Sequence, residues 1–185
     1  MKHIYKLMFF SFLLAMPLKA KAGICETLGD WYCTIRYNVI ETWNDHSSYD
    51  LFVPLYAWHN RLTYDREHIK KYNENPWGAG LGMSRFDEDG DWHSLYAMYF
   101  KDSNGYGETM FGYAFLKNHN WHDVRLGYGF TVGATQRHEY SYIPVPLPLP
   151  LIGIGYGRVD LQAAYVPGIK NDGNVLFIWT RISLY

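Results

Sequence analysis

Two short stretches, Tyr56-Ala57-Trp58-His59 and Phe100-Lys101-Asp102-Ser103, place an imidazole, a carboxylate and an alcohol at the ends of two amphipathic segments. Acyl transfer needs these three types: a histidine to take a proton, an acid to orient it, and an oxygen that attacks or donates to the developing oxyanion. Alone the pattern is weak, because an Asp-Ser pair is also ordinary turn chemistry. Other candidates carry less. Asp87, Asp89 and Asp91 alternate as calcium ligands do, but the glycine is displaced from its EF-hand place and Met98 stands where the bidentate acid belongs. A turn is expected there. His119 and His122 lack partners for a zinc set, so neither a metal nor a cofactor is expected.

Residues so far apart in sequence need elements that bring them together. From Asp50 onward the hydrophobic period is two, in segments of roughly the 9–11 residues a tilted membrane strand requires. Eight are expected, over 50–61, 78–86, 91–101, 109–117, 121–135, 142–149, 158–166 and 174–185. The fold class that follows is all-β, an eight-stranded antiparallel transmembrane β-barrel; a secreted all-β domain is the competing class. A long charged connection, Leu62 to Trp77, alternates with tight turns at Asp87-Glu88-Asp89-Gly90 and at Asn118 to Asn120. Long external loops and short periplasmic turns put His59 and the Asp102-Ser103 pair on the outer rim.

In the fifth segment His122, Val124, Leu126, Tyr128, Phe130 and Val132 make a lipid face, leaving Asp123, Arg125, Gly127, Gly129, Thr131 and Gly133 inward. The same parity turns Arg158, Asp160 and Gln162 inward in the seventh, and Met110, Gly112, Ala114 and Leu116 in the fourth. Small residues inside a barrel that side chains normally fill imply an apolar slot above a charged plug. The alternative is that the glycines only relieve strain in a tightly curved wall. Pro54, Pro76, Pro144, Pro146, Pro148, Pro150 and Pro167 cannot donate ladder hydrogen bonds. Gaps that admit lipid sideways are therefore expected beside the first and second strands and the sixth and seventh.

Ahead of the strands, Lys2, His3 and Lys6, a short apolar run and Ala20-Lys21-Ala22 read as a cleaved signal over 1–22. Its removal takes four of 17 basic residues and none of the 18 acids, leaving the remainder five charges negative, which argues against nucleic acid. Leu28, Trp31, Tyr32, Ile35, Val39 and Trp43 recur at helical spacing, so 23–46 is expected as an amphipathic periplasmic helix ahead of a barrel over 47–185. If Cys25 and Cys33 share that helix, about 12 Å separates them, and free or weakly structural thiols are expected.

A series of ordered segments adds a resemblance. Tyr49-Asp50-Leu51 leads through Pro54 to Trp58-His59, followed by Tyr72-Asn73-Glu74, Pro76-Trp77-Gly78, Trp92-His93 and Leu95-Tyr96-Ala97-Met98. Then come Phe100-Lys101-Asp102-Ser103, Tyr142-Ile143-Pro144, Gly155-Tyr156-Gly157, and Pro167-Gly168 before Asn171 to Asn174. Over almost all of the mature sequence the chain resembles the lipid A palmitoyltransferases of the PagP family. The resemblance implies palmitoyl transfer from the phospholipid sn-1 position to lipid A in the bacterial outer membrane, with the active site facing the outer leaflet. It implies catalytic His59, Asp102 and Ser103, an acyl-chain slot, and lateral gates flanked by Pro54 with Pro76 and by Pro144 with Pro167. The partners expected are a phospholipid donor, a lipid A acceptor and the surrounding lipids, for a monomer or weak homodimer. Ala114 departs from the family, which can carry glycine at the slot floor, so a shorter acyl chain is expected. An outer-membrane phospholipase and a non-enzymatic structural barrel are the alternatives.

Overall fold

A computed structural model describes residues 30–184. The chain falls into two compact units, Met1–Asn38 and Val39–Tyr185, divided within helix α1 (Asp30–Asn44). Asp30 in its first turn complements the positive end of the helix dipole. Trp31 and Trp43 are 68% and 62% exposed, so two tryptophans of the expected membrane-surface face are uncovered. The signal expected over 1–22 lies outside the described residues. The cysteine expectation needs correction: Cys33 is disulfide-bonded. The spacing argument assumed one helix through both cysteines, whereas the described helix begins at Asp30 and Cys25 lies outside the described residues.

Eight strands follow: β1 (Ser48–His59), β2 (Gly78–Phe86), β3 (Trp92–Lys101), β4 (Gly107–Trp121), β5 (Val124–Gln136), β6 (Val145–Tyr156), β7 (Val159–Val166) and β8 (Val175–Ser183). Each pairs antiparallel with the next, and β1 pairs with β8 from Asp50↔Ser183 to His59↔Val175, closing the barrel. A short helix α2 (Arg66–Ile69) lies in the β1–β2 connection. Closure leaves no sheet edge, as a strand structure in lipid requires. Outward residues such as Leu81, Leu126, Tyr128, Ile152, Ile154 and Leu161 are exposed, and Trp77, Trp121 and Tyr156 are exposed near the strand ends. Such an exterior suits a bilayer with aromatic girdles.

Two boundaries differ from expectation. Asn118 to Asn120 are strand, paired with Gly127 to Arg125, and the turn is the tighter His122-Asp123 pair with His122 at φ 56°. Polar residues there read as a turn, yet a strand end beyond the hydrocarbon can be polar. β6 runs on through its prolines to Tyr156, its pairing with β5 unbroken from Thr135↔Val145 to Val124↔Tyr156. Successive strand N–H groups point to opposite neighbours, so prolines at period two strip donors from one side alone. That side faces β7, which pairs with β6 only from Tyr156↔Val159 to Leu151↔Ala164.

The inward parity holds for Met110, Ala114 and Leu116, all in the buried core with Phe52, Trp92, Met98, Leu151 and Trp179. Arg158 is the exception, exposed and ahead of β7, because the turn takes it out of the alternation. Below the apolar layer Arg181 donates to Asp50 (2.9 Å), Asp160 (2.5 Å) and Ser84 (3.1 Å), and its guanidinium lies over the Trp92 ring. Arg125 reaches Asp160 at 3.1 Å. These pairs form the charged plug expected from sequence.

Candidate active site

β1 and β3 run in the same direction and both end at the rim that carries the long connections, so His59, Asp102 and Ser103 meet there. β3 stops at Lys101, which removes the strand alternation that would have turned Asp102 and Ser103 to opposite faces. Asp102 closes the turn that follows. Its Oδ1 accepts the backbone N–H groups of Asn104 (2.9 Å) and Tyr106 (2.8 Å), and its own N–H donates to the Tyr106 carbonyl. Its buried Oδ2 accepts no hydrogen bond; the nearest cation is Arg137, at 3.9 Å.

Ser103 Oγ lies 3.0 Å from His59 Nε2. The carboxylate on the other ring nitrogen is Glu74, with Oε1 3.1 Å from Nδ1, and not the expected Asp102, whose Oδ1 is taken up by its own turn. An ionised carboxylate only accepts, so Glu74 selects the tautomer with its proton on Nδ1, leaving Nε2 to accept from Ser103. Glu74 is fixed in turn. Arg61 donates to both of its oxygens at 2.7 Å, Tyr56 Oη–H donates at 2.7 Å, and the His59 backbone N–H at 3.2 Å. The Arg61 hydrogen bonds hold the Glu74 carboxyl down at about 2 against the opposing effect of burial. The imidazole is stacked on Tyr72 (4.9 Å, 10°) and meets Tyr64 edge-on. His59 is 1% exposed, whereas Ser103 is only partly buried.

The loop that supplies Glu74 is itself anchored. The Ala57 N–H donates to the Glu74 carbonyl, the Asn73 N–H to the Ser103 carbonyl at 2.7 Å, and the Tyr64 hydroxyl to the Gly173 carbonyl. Sequence reasoning passed over Glu74, Arg61 and Tyr56 as catalytic candidates. Glu74 carried one usable signal, its place in the Tyr72-Asn73-Glu74 segment.

A small cavity in the barrel core is lined by Phe52, Trp92, Tyr96, Met98, Ala114, Thr131, Gln162 and Trp179. Of the five residues assigned to the acyl-chain pocket, Ala114 alone lines it. Gly112, Gly127, Gly129 and Gly133 are small for another reason: a Cβ on Gly133 would come 2.0 Å from the Phe111 carbonyl, and one on Gly129 2.1 Å from that of Phe115. A Cβ on Gly112 would meet the β5 backbone, and one on Gly127 the Asn118 side chain. The glycines thus allow close approach of β4 and β5. As for the prolines, β1 pairs with β2 only up to Phe52↔Gly80, just before Pro54, and Pro76 precedes β2. Pro144 and Pro167 flank the matching break between β6 and β7.

The family described as "Antimicrobial peptide resistance and lipid A acylation protein PagP" matches residues 38–181, the barrel through most of its last strand. The chain belongs to the PagP family. It is 46% identical over 184 residues to the lipid A acyltransferase PagP of Klebsiella pneumoniae, covering 96% of this chain and 95% of that one. It is 44% identical over 178 residues to the lipid A palmitoyltransferase PagP of Escherichia coli K12, covering 93% and 94%. The Proteus mirabilis lipid A acyltransferase PagP is 51% identical over 152 residues, 79% of this chain and 70% of that one. PagP membership agrees with the fold class and with the enzyme class expected from sequence.

Proposed function

We propose that this chain is an outer-membrane acyltransferase that moves a palmitoyl or similarly long chain from the sn-1 position of a phospholipid to lipid A. One observation carries the choice of mechanism: the hydroxyl of partly exposed Ser103 rests against an imidazole that is itself sealed from solvent. A lipid hydroxyl can meet Ser103 more readily than it can meet His59. Ser103 is therefore the nucleophile and His59 its base.

In the first half-reaction His59 Nε2 takes the Ser103 proton as Oγ attacks the donor ester carbonyl. The tetrahedral intermediate expels the lysophospholipid oxygen, which takes that proton from His59. A lipid A hydroxyl then attacks the acyl-Ser103 ester, and its proton passes through His59 back to Oγ. Asp102 holds the turn that presents Ser103. The rim faces the outer leaflet, as long-loop ends of such barrels do, with lipids entering between β1 and β2 and between β6 and β7. The acyl tail descends toward Ala114 above the charged plug.

Lipid A mass spectrometry in cells lacking any enzyme of this kind tests the reading. Wild type should add one long acyl chain, Ser103→Ala should abolish the addition, and an acyl group should be trappable on Ser103 of the wild type. A Ser103→Ala variant that still acylates lipid A, or a wild type that releases only free fatty acid, would refute it.

A further inference from the structure

Resting on that reading of His59 and Ser103, we infer that Glu74 is the positioning residue of the reaction, orienting His59 from behind while Arg61 and Tyr56 hold its carboxylate in place. Four observations converge. The Oε1 contact to Nδ1 (3.1 Å) and the Ser103 contact to Nε2 (3.0 Å) lie on opposite ring nitrogens, so the carboxylate fixes the tautomer and the ring direction together. Glu74 accepts five hydrogen bonds' worth of restraint from Arg61, Tyr56 and both the ring and the backbone of His59, leaving it no freedom to swing away. The Glu74 carbonyl takes the N–H of Ala57, two residues before His59, so backbone and side chain of one residue brace the end of β1. Asp102, the other carboxylate nearby, spends its accepting oxygen on its own turn.

The groups packed around the imidazole are Glu74, Arg61, Tyr64 and Tyr72 from the β1–β2 connection and Ser103 from the β3–β4 turn. Among them Glu74 supplies the negative charge that stabilises an imidazolium during each half-reaction. A Gln at this place keeps the shape and one hydrogen bond but removes the charge.

The test is kinetic, on refolded full-length barrel in mixed micelles of phospholipid and lipid A. Glu74→Gln should lower kcat at least tenfold with KM within about twofold, and should move the acid limb of the pH–rate profile to lower pH, because the protonated base has lost its counter-charge. Arg61→Ala, which frees the carboxylate without removing it, should give a smaller kcat loss and little movement of that limb. Unchanged kcat and pH profile in Glu74→Gln, alongside an active wild type and an inactive His59→Ala, would overturn the positioning role alone. A His59→Ala variant as active as wild type would bring down the site and this inference together.

Discussion

Ala114 sits in the apolar layer of the barrel, facing Trp92, Thr131 and Trp179 across a cavity too confined to ignore a methyl group. Each methylene kept out of such a site forfeits about 0.8 kcal/mol of burial, and a clash adds to that, so one side-chain carbon is enough to select chain length. Ala114→Gly should therefore shift the preferred acyl chain longer by one or two carbons, read as a mass change in the modified lipid A. Identical acyl masses from the two proteins would sink the idea. At this scale the sequence was informative about parity and poor about partners. Alternation alone turned Ala114 inward, yet the sequence pointed to Asp102, and not to Glu74, as the carboxylate behind His59. That choice depends on the return path of the β1–β2 connection, which brings residue 74 beside residue 59.

Strand pairing is where prolines act. Pro146, Pro148 and Pro150 leave β6 fully paired with β5 and unpaired with β7 beyond Leu151. A strand seam without hydrogen bonds can part for a lipid more readily than a bonded one. Replacing Pro148 and Pro150 together by alanine restores two donors on the side of β6 that faces β7, where the continuing register puts Pro150 opposite Tyr165. The expected outcome is a several-fold slower acylation in bilayers with no loss of thermal stability, measured in vesicles of defined phospholipid. An unchanged rate with a demonstrably bonded seam would argue that lipid enters elsewhere. The same strand shows why its end was placed too early from sequence: a proline run reads as a break, and only a neighbour that needs none of the missing donors lets the strand continue.

For the whole barrel, the plug sets stability. Arg181 on β8 answers two buried carboxylates, Asp50 on β1 and Asp160 on β7, the two strands that flank β8 in the ring. Arg181→Met should cost about 3–5 kcal/mol, because it leaves Asp50 buried without its cation, and denaturant unfolding in vesicles would measure it. A loss below 1 kcal/mol would mean that water or lipid counter-charge reaches this layer.

Period-two patterning, turn spacing and the parity of inward residues were enough to point to an eight-stranded barrel with a greasy middle, a charged base and a rim bearing His59, Asp102 and Ser103, because each of these is set by local alternation along one strand. Three matters were decided only by the tertiary structure: the carboxylate that hydrogen-bonds His59, the close β4–β5 approach that accounts for the glycines, and the disulfide at Cys33. Each depends on which distant segment comes to lie alongside, and no local period carries that information.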